Sequence, residues 1–379
     1  MTLTEAAYYL RKIIPIAVLG IIVIFILVIT IKIAELAAPV HTDKPMPTPM
    51  PAYGQLPEII LPNAGKLPTD KTYSIETIRG VPETATSSAR IYFIPKKAAT
   101  LGFREKAAVL AKALNFDDKT MTTKLDHIPG STANKTLNTY TIVDKNKRLV
   151  VDIDTENYTF TQDFDEETKG LLTDVTIPDE DTIKSKVRTI MDKLGRYPPD
   201  LAQGIQTISY ITYKEASGSA QASADIVKDP QAANMVAVDF FPPNINDIQS
   251  VTEEYFGSPN RIVFIPKNTS SDYVLKAQVQ VFERSEEQFS PYALRTGDQA
   301  YADLQAGKGF LIQGKEGLTN RTNIKIIKMT TAYLIPSTYT EYIQPVYVFI
   351  GDEGFVAYVP AVQNSLIQGL TDVTVTKIK

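Results

Sequence analysis

The stretch Asp179-Glu-Asp-Thr-Ile-Lys-Ser-Lys-Val-Arg-Thr-Ile-Met-Asp-Lys-Leu-Gly195 decides how the rest of this chain is read. Ile183, Val187, Ile190, Met191 and Leu194 fall on one side of a helix of 3.6 residues per turn, so the spacing predicts an amphipathic helix with one apolar stripe. Asp179 can cap the first turn, Glu180 and Asp181 suit its positive end, and Gly195 can leave the helix in the left-handed conformation. Such a stripe has to be buried against something, and the chain continues with strand after strand. Ile205 to Tyr213, Ala222 to Val227, Met235 to Phe241, Arg261 to Pro266 and Tyr273 to Glu283 are rich in β-branched and aromatic residues. A helix lying on an antiparallel sheet is the expectation.

The same arrangement recurs on both sides. Upstream, Tyr73 to Arg79 and Arg90 to Pro95 read as strands, and Phe103, Ala107, Leu110 and Leu114 recur at helical spacing. Tyr140 to Val143 and Leu149 to Ile153 then alternate around the turn Asp144-Lys-Asn-Lys147, and Tyr158 to Thr161 adds another strand. Downstream, Thr296 with Gln299 forms a capping box for a helix ending at Gly307. Ile324 to Ile335, Ile343 to Ile350 and Phe355 to Pro360 come after it, with Gly351-Asp-Glu-Gly354 as a hairpin turn and Asp372 to Ile378 as an edge strand. The expected fold class is therefore α+β, with tandem modules at 70–177, 178–289 and 290–379, each one helix packed on an antiparallel β-sheet. Arg90-Ile-Tyr-Phe-Ile-Pro-Lys96 and Arg261-Ile-Val-Phe-Ile-Pro-Lys267 agree at six of seven positions. Strand-ending segments reach such agreement by convergence as readily as by duplication.

Ahead of these modules the composition changes twice. From Pro39 to Pro68 the chain carries eight prolines and no periodic apolar pattern, so 38–69 reads as a semi-rigid spacer. Tyr53, Leu56, Ile59, Ile60 and Leu61 are apolar enough for its second half to dock on a folded domain instead. From Ile13 to Ile31, fifteen of nineteen residues are Ile, Leu, Val or Phe and none is charged. At about 1.5 Å per residue that run spans roughly 28 Å, close to a bilayer core, so 13–37 is expected to be a transmembrane helix with Ile13, Leu19, Ile24, Phe25 and Ile31 in contact with lipid. A cleaved signal peptide is the alternative, but its apolar run is shorter. Arg11 and Lys12 precede the run, which puts residues 1–12 in the cytoplasm and everything after the anchor outside.

Composition narrows the function classes. Of 379 residues, 44% are hydrophobic and 22% charged, enough to bury real cores. A net charge of -4 argues against nucleic acid, which needs clustered Lys and Arg. The absence of cysteine excludes thiol nucleophiles, Cys-based zinc sites and disulfides, and in an extracytoplasmic chain fits a bacterial envelope.

Catalytic motifs are scarce. The two histidines, His41 in the spacer and His127 in a Gly-Pro-Ser-Thr loop, sit in no nucleophile-bearing motif. Gly309-Phe-Leu-Ile-Gln-Gly-Lys315 has the spacing of a phosphate-cradling loop, yet Glu316 replaces the magnesium-binding Ser or Thr and the segment runs from helix to strand. Asp152, Asp154 and Glu156 resemble the start of a calcium loop that lacks its central Gly and its terminal Glu. No cofactor, metal or catalytic residue is expected.

The last module carries a resemblance. Ser290-Pro-Tyr292, the helix Asp298-Gln-Ala-Tyr-Ala-Asp-Leu304, Gly307-Lys-Gly309, Gln344-Pro-Val-Tyr347 and Ala357-Tyr-Val-Pro360 resemble the PepSY-like modules of the single-pass bacterial envelope regulators YycH and YycI. That resemblance implies an α+β fold and a non-catalytic, regulatory or scaffolding role. Its partners would be the lipid bilayer and another envelope or membrane protein, such as a sensor kinase, a protease or a structural complex. The long spacer and the three apparent modules depart from that family. A structural or adhesive surface protein is the alternative, and a carboxylate-dependent hydrolase a third.

Overall fold

Strand pairing, rather than helix packing, organises this chain. The structure, a computed structural model, describes residues 48–84, 86–97, 102–129, 136–214, 223–267, 272–314 and 321–370. Among them are eighteen strands and five α-helices, three of which exceed two turns. Met46–Lys379 is one compact unit.

In chain order, β1 (Gly65–Lys66), β2 (Thr72–Ile75) and β3 (Ser88–Phe93) come first, then helix Phe103–Ala113. β4 (Thr122–Pro129), β5 (Thr136–Asp144), β6 (Lys147–Asp152) and β7 (Tyr158–Gln162) form a meander. Helices Glu166–Gly170, Glu180–Lys193 and Pro199–Gln203 lead into β8 (Ile205–Lys214), β9 (Ser223–Val227), β10 (Met235–Phe241), β11 (Gln249–Val251), β12 (Arg261–Ile265) and β13 (Tyr273–Val279). β14 (Phe289–Ala293), helix Gly297–Gln305, β15 (Phe310–Gln313), β16 (Asn323–Leu334), β17 (Tyr342–Gly351) and β18 (Val356–Pro360) close the chain.

Two nine-stranded sheets result. One is antiparallel throughout, in the order β4-β5-β6-β7-β13-β12-β10-β8-β9. Its centre is the pairing of β7 with β13, where Phe160 lies opposite Ala277. The helices Phe103–Ala113 and Glu180–Lys193 cover one face of it. Ala107, Leu110 and Leu114 from the first and Ile183, Val187, Ile190 and Met191 from the second meet Phe160, Val238, Phe240 and Phe264 in a single core. Burying each of these phenylalanines stabilises the fold by roughly 1.5–3 kcal/mol. The caps expected for the longer helix are present: the Asp179 carboxylate accepts from the Thr182 N–H, and Gly195 has a φ of 69°.

The other sheet runs β1-β15-β18-β17-β16-β11, with β2 also on β16 and a β3–β14 pair attached to the start of β17. Only β2 and β11 run parallel to their neighbour. β17 is buried along almost its whole length because both of its faces are covered, which explains its continuous apolar run. The Gly297–Gln305 helix packs Ala300 and Leu304 on this sheet, and Thr296 and Gln299 make the expected reciprocal caps.

These findings correct the expected fold class. The chain is mostly β-sheet with few helices, not three tandem α+β units of one helix on one sheet. Two of the expected helix-and-strand sets merge through β7 and β13 into one continuous sheet, with a single core under the two long helices. The set assigned to the C-terminus is completed by β1, β2 and β3, from far upstream. Periodicity reports what a segment does locally, whereas sheet membership is set by pairing between segments hundreds of residues apart. Membrane and single-pass character finds no support either: among the described residues no helix is long and apolar enough to cross a membrane. The expected anchor, with Ile13, Leu19, Ile24, Phe25 and Ile31 and the topology charges Arg11 and Lys12, lies outside the described residues.

Candidate functional site

Prolines help to line one concavity of the fold. Leu56 is fully buried, its N–H donating to Leu366 O at 2.8 Å and its O accepting from Gln368 N–H at 2.9 Å. Leu61 is buried too, in the apolar cluster on the far face of β17. Between these anchors residues 57–60 belong to no strand or helix, and Pro57 lacks the N–H that would pair it into the sheet. The amide of Gln344 on β17 ties this strap down by donating to Pro57 O at 2.9 Å. Opposite lies the β16–β17 connection, held by Tyr339, whose hydroxyl donates to Ile94 O at 3.1 Å, and by Ile94 N–H donating to Glu341 O at 2.8 Å. A groove of about 780 Å3 opens between strap and connection.

Its lining is aromatic and proline-rich. Phe93 and Tyr342 lie with ring centres 6.0 Å apart, Tyr53 packs on Tyr342 at 4.9 Å, and Pro57, Pro62 and Pro336 complete the apolar surface. Ile60 is 53% exposed beside it, although a folded chain gains by covering such a side chain. The charges are unbalanced: Glu58, Glu253 and Glu341 face Lys96. Burial, reinforced by the Glu341 carboxylate, raises the pKa of the Tyr339 and Tyr342 hydroxyls, so both remain proton donors. No lining residue is a histidine or a serine, so the groove holds no nucleophile–base pair of that kind. Its size and mixed apolar and acidic lining suit the holding of an extended segment.

Elsewhere the suspected chemistry dissolves into structure. Asp152 Oδ1 accepts from Asp154 N–H at 3.0 Å within a turn, and Glu156 is paired with Lys106. Among the described residues no group of three or more His, Asp or Glu is placed to hold a metal. Gly309 is needed for close approach, since a Cβ there would meet Tyr358 O at 2.6 Å. His127 falls on β4, and His41 lies outside the described residues. Of the sheet edges, β1 has two residues, β11 three and β9 five; β4 has eight but carries Lys124, Asp126 and Pro129. Charge and proline on an edge discourage pairing with another chain.

The groove was not expected from the sequence. Two of its three aromatic residues, Tyr339 and Tyr342, sit in Pro336-Ser-Thr-Tyr-Thr-Glu-Tyr342, between two strand runs, where a loop with two tyrosines was the available signal. The transmembrane residues expected to be functional are not described, so the structure brings none of them to this site.

Comparisons with known proteins add little. No protein family matches the chain, and no curated protein is similar to it in sequence. A crystal structure of an uncharacterised protein from Eubacterium rectale is similar over 83% of this chain and 94% of that one, at 12% identity and a TM-score of 0.32.

Proposed function

We propose that this chain is a non-catalytic protein-binding protein, regulatory or scaffolding in role, whose groove takes an extended, basic, proline-bearing segment of a partner. The carrying observation is the groove itself, lined by aromatic rings packed at a tilt, by prolines, and by three glutamates against one lysine. Polyproline segments dock on aromatic-lined grooves because they are already extended and lose little entropy on binding. Acidic rims favour basic partners chiefly through association rate and selectivity. Placement outside the cytoplasm rests on the residue pattern of positions 1–37, and labelling of an appended tag by an impermeant reagent on intact cells tests it.

Crosslinking with mass spectrometry in intact cells tests the binding reading. Crosslinks from Lys96 to a protein partner are expected, and they should disappear in Ile60→Asp and weaken in Glu341→Lys. A partner captured equally well by both variants would place binding elsewhere, and the absence of any protein crosslink would end the proposal.

A further inference from the structure

A second cavity, of about 370 Å3, lies where the start of helix Phe103–Ala113 meets the end of helix Glu180–Lys193 above β6 and β7. Phe103, Ala107, Leu110, Val151 and Leu194 give it apolar walls. Arg196 and Tyr158 line it as well; Arg196 bonds only to neutral groups, and the Tyr158 hydroxyl has no partner.

Gly195, with a φ of 69°, ends the longer helix, and Arg196 follows it. Its Nε and Nη2 donate to Asn157 Oδ1 at 3.3 and 3.0 Å, and Nη2 also donates to Val281 O at 3.2 Å. Every one of these partners is neutral, and among the described residues no carboxylate lies within ion-pair distance of the guanidinium. Burial opposes its charge, with Glu283, Glu156 and Asp152 acting from further away. Tyr158 is 2% exposed, sits within electrostatic reach of Arg196, and its hydroxyl has no hydrogen-bond partner; Asn157 Nδ2 has none either. Leaving a buried donor unpaired costs about 1–3 kcal/mol, and native structures hold few such groups. Of the acids lining it, Glu156 pairs with Lys106 and Asp152 Oδ1 accepts within its own turn, and Glu105 lines it together with the cations Lys106 and Lys193. An unpartnered hydroxyl and a cation without an ion pair, beside apolar walls, call for an acceptor that is negatively charged and attached to something apolar.

We propose that this cavity binds a small carboxylate with an apolar tail, the carboxylate accepting from the Arg196 guanidinium and the Tyr158 hydroxyl while the tail lies against Phe103, Ala107 and Leu110. The site is separate from the groove and independent of the protein-binding role.

Titration calorimetry of the full chain with octanoate, octanol and octylammonium tests it. Octanoate should bind about tenfold or more tighter than either control, a difference of about 1.4 kcal/mol. Tyr158→Phe should weaken octanoate severalfold and leave octanol unchanged, while the unliganded variant melts at the same temperature or higher because an orphan hydroxyl is gone. Arg196→Gln should erase the preference for the carboxylate. Equal binding of octanoate and octanol, no heat with millimolar octanoate, or an unchanged octanoate affinity in Tyr158→Phe would each overturn the proposal.

Discussion

Arg261 on β12 grips Asp239 on β10 with two parallel hydrogen bonds, Nε to Oδ1 at 2.8 Å and Nη2 to Oδ2 at 2.7 Å. The two residues are directly opposite across the strand pair, and Asp239 is 2% exposed. Arg90, the matching residue of the similar heptad, does something different: it lies over the Phe289 ring at 4.4 Å, on a strand of the other sheet. The seven-residue similarity therefore marks two strands of like local character in unlike places.

Removing the guanidinium strands a buried carboxylate. Arg261→Ala should cost about 3 kcal/mol, the low end for breaking a buried pair, because Arg261 keeps a third of its side chain in water. Urea unfolding of the single variants and of Arg261→Met with Asp239→Leu reads this out. The double variant should recover most of the loss, and if it is as unstable as Arg261→Ala the penalty does not come from the stranded charge.

Docking of the segment that precedes the groove depends on Tyr292, whose hydroxyl accepts from Tyr53 N–H at 3.1 Å and donates to Gly54 O at 2.9 Å. Tyr292→Phe should cost about 1 kcal/mol and raise hydrogen exchange at residues 50–56 while leaving β16–β18 protected. Unchanged exchange there would mean that Leu56, with the bonds of Ser290 to Met50 and Ala52 and of Met50 N–H to Pro291 O, holds the segment without Tyr292.

One sheet with one core predicts one unfolding transition for its two halves. A fragment of residues 102–177 ends at the unpaired edge of β7 and loses the Val238, Phe240 and Phe264 side of the core, so it should show neither a cooperative urea transition nor native-like circular dichroism. A stable, cooperatively folding fragment would show that the pairing of β7 with β13 is an association of self-sufficient units.

Acid should act partly through Asp144. Burial raises its pKa, but the Thr120 hydroxyl at 2.6 Å and the Asp117 N–H at 2.9 Å, helped by Lys147 and Lys145, outweigh it and hold the carboxyl below the ordinary 3.8. A lowered native pKa adds stability that is fully present above the unfolded value and lost as pH falls through the native one. Asp144→Asn should therefore cost about 1.5–3 kcal/mol near neutral pH and progressively less below about pH 4. An equal loss at both pH values would show that the ionised form has no special role.

Legibility in the sequence followed the range of the interactions. Thr296 with Gln299, Asp179 with Thr182, and the Asp144–Lys147 turn act within a few residues, and each is where its own neighbourhood puts it. β1, β11 and β15 have two to four residues each and escaped notice, because a strand that short exists only through its partner. The groove escaped for the same reason: Phe93, Ile60 and Tyr342 are far apart in the chain, and nothing near any of them signals the others.

What the sequence determined by itself was which segments could be helix, strand or cap, and that the chain has neither a thiol nor an evident nucleophile with its base. Whether Phe160 would face a second module's Ala277, whether residues 65–93 would finish a sheet begun at residue 289, and whether Arg196 would lack a carboxylate were decided only by tertiary structure. Each depends on burial and on pairing between distant segments, and those energies appear only once the chain has closed on itself.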